Sequence, residues 1–206
     1  MNLRLLQISI KITFLLFLFT ACGNIQIKQI ETNYGEGKPA AKKILVAYAT
    51  RAGSTSEVAD AIAKALAEGA QVEIKPVTNV KDVNGYQAVV LGSAVIKGYV
   101  LPEALEFVKR YKTELKSIPV AYFIVCMTLK ENTEEKRKKA NAYLDPLRKE
   151  VDPIDIGLFA GKLDYSKLGS IDYIIVKYFI GEPEGDYRDW NAIKDWAAQL
   201  KKKLFK

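Results

Sequence analysis

Five short apolar runs recur along the chain from residue 43 onward, and stretches of helical periodicity separate them. The runs are 44–49 (ILVAYA), 71–77 (QVEIKPV), 88–93 (AVVLGS), 119–126 (PVAYFIVC) and 154–160 (IDIGLFA). Runs of this length, largely apolar and rich in β-branched and aromatic residues, read as strands buried on both faces. The second mixes polar with apolar positions and carries Pro76, which predicts a place near the sheet edge. Between the runs, residues 54–66 set Val58, Ile62, Ala65 and Leu66 on one helical stripe, with Asp60 and Lys64 spaced to pair at i,i+4. Pro102 opens a second helix whose inner side carries Ala104, Leu105, Val108 and Tyr111. A strongly charged helix follows over about 132–149, and helical patterns return at 171–180 and 190–204. The extended segment 171–184 is apolar enough to be a packed helix, the first reading, or a docking face.

Strands alternating with helices specify an α/β fold, here a doubly wound five-stranded parallel sheet. Right-handed crossovers leave few topologies, and the order 2-1-3-4-5 fits five strands. Ligands of such sheets sit beyond the carboxyl ends of the strands, where the strand order reverses. The loops after Ala49, Ser93 and Cys126 meet there.

Residues 1–22 read differently. Arg4 and Lys11 precede the apolar run 12–19 (ITFLLFLF), which is well short of the roughly 20 residues a spanning helix needs. It is expected to be a signal peptide, and the small residues before Cys22 resemble a lipobox in which Cys22 is lipidated. The phenylalanine at position 19 departs from the leucine that pattern prefers. Residues 23–41, without lasting periodicity, read as a flexible tether to a domain spanning 42–206. An anchor of this kind predicts a membrane-attached, extracytoplasmic protein, with the cytoplasmic face of the membrane as the alternative.

Composition mainly excludes. The 206 residues contain no histidine, so His-based triads and most zinc sites cannot be built from them. The only cysteines are Cys22 and Cys126, which rules out CxxC redox chemistry and zinc fingers. The net charge of +7 suits anionic ligands or membrane surfaces. Loss of Arg4 and Lys11 with the leader would leave 29 basic against 24 acidic residues, or +5. The basic clusters at 135–139 and 201–206 read as solvated helix surface, and no interleaved aromatics support nucleic-acid binding. A chain with this inventory leaves demanding chemistry to a cofactor.

The first strand runs into Thr50-Arg51-Ala52-Gly53-Ser54-Thr55, and Ser54 with Glu57 has capping-box spacing. A turn of small and hydroxyl residues before a helix aims free N–H groups and the helix dipole at one point. That arrangement is an anion site, with phosphate the usual occupant; the plainer alternative is an ordinary strand-to-helix loop.

These residues resemble a known family. Thr50 to Thr55 is similar to the flavodoxin phosphate loop T-x-x-G-x-T, and its TR-x-G-x-T form resembles the menaquinone-dependent protoporphyrinogen oxidase branch of flavodoxin-domain proteins. Ser93-Ala94-Val95-Ile96-Lys97-Gly98-Tyr99 after Gly92, the helix from Pro102, Phe159-Ala160-Gly161-Lys162-Leu163 and Gly185-Asp186-Tyr187-Arg188-Asp189-Trp190 are similar to that branch in the same order. The resemblance covers roughly residues 43–200. It implies FMN, with its phosphate held by the hydroxyls of Thr50, Ser54 and Thr55 and by N–H groups from Arg51 through Ala52 and Gly53 to Thr55. Ala52 stands where typical flavodoxins have a hydroxyl. The 93–99 loop would line the flavin, with Tyr99 stacking on the ring, and Cys126, Met127, Thr128 and Leu129 would form a third wall. Cys126 itself reads as core rather than as a catalytic thiol. The implied activity is FMN-dependent oxidation of protoporphyrinogen, with menaquinone or another redox partner as acceptor. The alternative is a flavodoxin-type electron carrier serving a protein partner. Carrier flavodoxins are acidic, whereas this chain is basic.

Overall fold

Parity along one strand divides the core in two. In β2 (Lys43–Ala49), Ile44, Val46 and Tyr48 enter one hydrophobic cluster, and Leu45, Ala47 and Ala49 enter another on the opposite face of the sheet. All six are buried. The computed structural model describes residues 27, 29–36 and 42–205; the leader, Cys22 and most of the expected tether lie outside them.

One face is covered by α1 (Ser54–Leu66) and α7 (Trp190–Leu204), through Val58, Ile62, Leu66, Ile193 and Leu200. Each such side chain, fully buried, contributes about 1.5–3 kcal/mol. The expected Asp60–Lys64 pair forms at 2.7 Å on the outer side of α1. The other face is covered by α2 (Pro102–Arg110), α3 (Lys112–Leu115), α4 (Glu134–Ala142) and α5 (Asp145–Arg148). The single helix expected over 132–149 is thus two helices. Pro146 lies in the first turn of α5, where its missing N–H costs nothing, and it could not have continued α4.

The five expected strands are present as β2, β3 (Gln71–Pro76), β4 (Ala88–Ile96), β6 (Val120–Cys126) and β7 (Asp155–Ala160). They are parallel and ordered β3-β2-β4-β6-β7, the 2-1-3-4-5 winding. Among the described residues the sheet nevertheless has seven strands rather than five, because two antiparallel strands join it. β5 (Tyr99–Val100) folds back on the end of β4. β1 (Thr32–Tyr34), inside the stretch read as a tether, pairs with β3 through Asn33 opposite Glu73. β3 is therefore not an edge strand, and its polar positions face a cross-strand neighbour.

Two tyrosines hold this added segment. The Tyr48 hydroxyl accepts from the Ile30 N–H at 2.7 Å and donates to the Ile30 carbonyl at 3.0 Å. The Tyr34 hydroxyl donates to the Asp60 carboxylate of α1. Partial burial and that carboxylate push the Tyr34 pKa from 10.0 to about 12. A phenol with a raised folded pKa contributes stability that is complete below pH 10 and lost as pH rises through 12. Tyr34→Phe is expected to cost about 1.5–3 kcal/mol at pH 7, the scale of a hydrogen bond to a charged group. Urea unfolding at pH 7 and pH 11 measures it, and a penalty that does not shrink at the higher pH would remove Asp60 as the cause.

Candidate functional site

Strand register assembles the site. Ala49 at the end of β2 lies opposite Ser93, Ser93 lies opposite Ile124 of β6, and Cys126 lies opposite Ala160 of β7. The loops that follow β2, β4 and β6 therefore leave from one edge, at the point where the winding reverses.

The first loop is shaped by Gly53, which sits in the left-handed region at φ 87° and is the N-cap of α1. Open space is not what demands glycine there: an added methyl would meet nothing closer than Ile27 Cγ2, at 3.5 Å. The positive φ demands it. The capping box expected from Ser54 and Glu57 does not form, because Ser54 is already inside the first turn and no side chain caps the helix. Instead the Ser54 hydroxyl accepts from the Lys162 N–H at 3.3 Å, and Glu57 pairs with Arg188 at 2.7 Å. The Thr50 hydroxyl accepts from the Gly53 N–H at 3.1 Å, and its own proton remains available to an anion. In the first turn the N–H groups of Ser54, Thr55 and Ser56 have no intrahelical acceptor, and the dipole places partial positive charge there.

Arg51 contributes backbone to this loop, but its guanidinium is engaged elsewhere, in a two-pronged pair with Glu103 at the start of α2. Burial pushes the Glu103 carboxyl up, and the Arg51 hydrogen bond and charge outweigh it, so the pKa settles below its ordinary value. The pair ties the first loop to the helix that follows the second.

The second loop is a hairpin. β4 continues to Ile96, and Ile96 pairs with Tyr99 across a turn made by Lys97 and Gly98, at φ 53° and 86°. Positive φ at both central residues gives the turn the twist of its strands. Lys97 is the only non-glycine residue with positive φ among the described residues. Ser93 is buried and its hydroxyl is committed to the hairpin base, donating to the Ala94 carbonyl at 2.8 Å and accepting from the Leu101 N–H at 3.0 Å. Ala94 and Val95 pack partly on the core, whereas Ile96 and Tyr99 project outward, Tyr99 being 72% exposed. Tyr99 is thus presented as a platform, and Ser93 acts through the backbone it holds.

The third loop is a single 3-10 turn, Met127–Lys130. Cys126 and Leu129 are buried in the core, and Met127 and Thr128 lie partly open. Burial pushes the Cys126 thiol up, offset in part by hydrogen bonds from Leu129 and Thr128, so it stays protonated. It is unsuited to nucleophilic work.

Three residues to which the sequence assigned no role of their own brace these loops. The Tyr143 hydroxyl lies 3.3 Å from that of Thr128, and its ring lies beside Gly98, linking the second and third loops. Arg188, with 3% of its side chain exposed, joins Glu57 to Asp186 and stacks over Trp190 at 4.5 Å. Lys130 pairs with Glu182 at 2.8 Å. Among the described residues no group of acidic or cysteine side chains could hold a metal ion.

The residues fit the FMN that the resemblance implies. A helix N-terminus with a left-handed glycine and three hydroxyls suits a phosphate, and an exposed tyrosine across the opening suits a flat ring. Residues 45–189 match the family described as flavodoxin domain, and the chain belongs to that family. It is 28% identical over 174 residues to the protoporphyrinogen IX dehydrogenase [quinone] of Leishmania major, covering 77% of this chain and 74% of that one. It is 26% identical over 171 residues to the protein of the same name from Escherichia coli strain K12, covering 77% of this chain and 94% of that one. Among solved structures it is similar to a flavodoxin of Streptococcus pneumonia TIGR4, with a TM-score of 0.51, 14% identity, and coverage of 79% of this chain and 97% of that one.

Proposed function

We propose that this protein is an FMN-dependent oxidoreductase that works at a membrane, oxidising a protoporphyrinogen-type substrate and passing the electrons to a quinone such as menaquinone. One observation carries the reading: the similarity to quinone-dependent protoporphyrinogen dehydrogenases extends through all three loops that converge at the switch point. Bound FMN supplies the redox chemistry, accepting a hydride or two electrons and releasing them again. Thr50, Ser54, Thr55 and the first-turn N–H groups hold the phosphate. Tyr99 stacks on the ring, and the turn Met127–Lys130 closes the remaining side. Cys126 stays neutral and supports the floor of the site, and no described side chain is required as an acid or base. Lipidation at Cys22 fastens the chain to the outer face of the membrane, and Cys22→Ser should convert it to a form that a salt wash extracts.

The test is a visible spectrum of the purified protein, followed by turnover of protoporphyrinogen with a menaquinone analogue. Flavin absorbance with quinone reduction is the expected result. Bound flavin without turnover would favour the alternative, an electron carrier for a protein partner. A colourless protein that takes up no added FMN would overturn both.

A further inference from the structure

The segment that adds β1 to the sheet also climbs to the edge where the candidate site lies. β1 runs antiparallel to β3, with Tyr34 opposite Val72 and Thr32 opposite Ile74. Followed backwards from Tyr34, the chain therefore rises towards the carboxyl ends of the parallel strands. Ile30 is held there by both bonds to the hydroxyl of Tyr48, the next-to-last residue of β2. Glu31 accepts from the Asn79 side chain at 2.7 Å, just past the end of β3. Ile27 completes the ascent, its Cγ2 lying 3.5 Å from where a Cβ on Gly53 would stand. Much of the stretch read as a flexible tether is thus bound down, and its upper end lies beside the first loop.

An arm between β7 and α7 borders the same edge. Its base is a two-stranded ladder, β8 (Lys162–Leu163) with β9 (Gly185–Asp186), where the Lys162 N–H meets the Ser54 hydroxyl. Its tip is the helix α6 (Ser170–Ile174), continued as the π-helix Ile175–Ile180. None of these residues is buried, so packing as a core helix, the first expectation from sequence, is corrected. The cause is topological: α1 and α7 already cover the neighbouring face of the sheet. With Lys177 balanced by Asp172, residues 170–180 are neutral and set no orientation by charge.

Chain length does set one. Cys22 is five residues before Ile27, and five residues span at most about 18 Å however they run. A tether free as far as Lys42 would be twenty residues long, with a reach of about 70 Å. It would also join the fold at the amino end of β2, the edge opposite the site. β2 alone, seven residues long, spans about 20 Å, and the turns beyond its amino end add to that height. A spacer of at most about 18 Å that starts at the site edge cannot reach a bilayer lying beyond the opposite edge. We propose that lipid on Cys22 holds the candidate-site edge of the sheet, and not the opposite edge, nearest the bilayer. Orientation is thereby added to the attachment at Cys22, on which it rests. The three loops then face the lipid surface, within reach of an acceptor dissolved in it.

Fluorescence quenching on vesicles bearing the full-length protein tests it. A bimane label is attached through Glu131→Cys, just past the third loop, or through Asn84→Cys, before β4 at the opposite edge. Both positions are exposed, and Cys126 is buried away from the reagent. Nitroxide-bearing lipid should quench the label at 131 severalfold more than the label at 84. Inserting a Gly/Ser spacer of about twenty residues after Asn24 should abolish that difference, because the reach then exceeds the height of the sheet. Equal quenching at the two positions in the chain without the spacer, or stronger quenching at 84, would overturn the proposal. A difference that survives the spacer would overturn it too, since chain length would not be its cause. An N-terminal peptide whose mass shows no lipid on Cys22 would overturn attachment and orientation together. Quenching needs no bound flavin, so failure of the FMN assignment, read from the visible spectrum, is distinguishable from failure of the orientation.

Discussion

Thr55→Ala should raise the Kd for FMN by about 10- to 150-fold, the equivalent of 1.5–3 kcal/mol for a hydrogen bond to a charged group. Thr55 is the second residue of α1 and is 1% exposed, so the helix fixes where its side chain starts. Alanine there does not disfavour the helix, and the circular dichroism spectrum should be unchanged. Quenching of FMN fluorescence on titration gives the affinity, and Thr55→Ser should recover most of the loss. An alanine variant that binds as tightly as the parent would remove this hydroxyl from the phosphate site.

Gly92→Ala should be the most destabilising single-methyl change near the site. A Cβ at position 92 would stand 2.0 Å from Phe123 Cζ, well inside contact distance. Phe123 is fully buried and packs against Phe159 and Trp196 with ring centroids 6.2 Å away in both cases. The ring cannot swing aside without displacing both neighbours. Overpacking of this kind costs about 3 kcal/mol, which for a domain of this size lowers Tm by roughly 6–12 °C. Adding Phe123→Leu should restore part of that loss, since the two positions share one contact and are not additive. Calorimetry of the two single variants and the double variant decides it. Two penalties that simply add would show that the clash is relieved elsewhere.

How much of this was legible beforehand differs from element to element. The five parallel strands and α7 could be read directly, because strands buried on both faces become continuous apolar runs and helices keep a stripe. The first loop was legible as a strand-to-helix turn because glycine and hydroxyl residues stand where an apolar run hands over to a helical stripe. Its cap was misread, since the S-x-x-E spacing at Ser54 and Glu57 cannot reveal that Gly53 takes the cap and that Arg188 claims Glu57. The hairpin at 94–99 was read as a plain loop. Its turn is Lys-Gly, without the Asn-Gly or Asp-Gly signal, and a lysine at positive φ is visible only in coordinates. Tyr143 gave no local signal, and neither the pairing of Glu103 with Arg51 nor that of Arg188 with Glu57 was legible, because each of these contacts reaches a partner at least 15 residues away in the chain.

The sequence by itself determined the α/β winding, the position of the strand-to-helix turn at 50–55 and the absence of histidine chemistry. All three follow from local periodicity, local turn composition or a count of residue types. Tertiary structure alone decided that Thr32–Tyr34 extends the sheet, that the Arg51 side chain turns to Glu103, and that 170–180 stands uncovered. An apolar helix has the same pattern whether it is packed or exposed. Which of the two it becomes depends on whether another element already covers the face it could have used, and here α1 and α7 do.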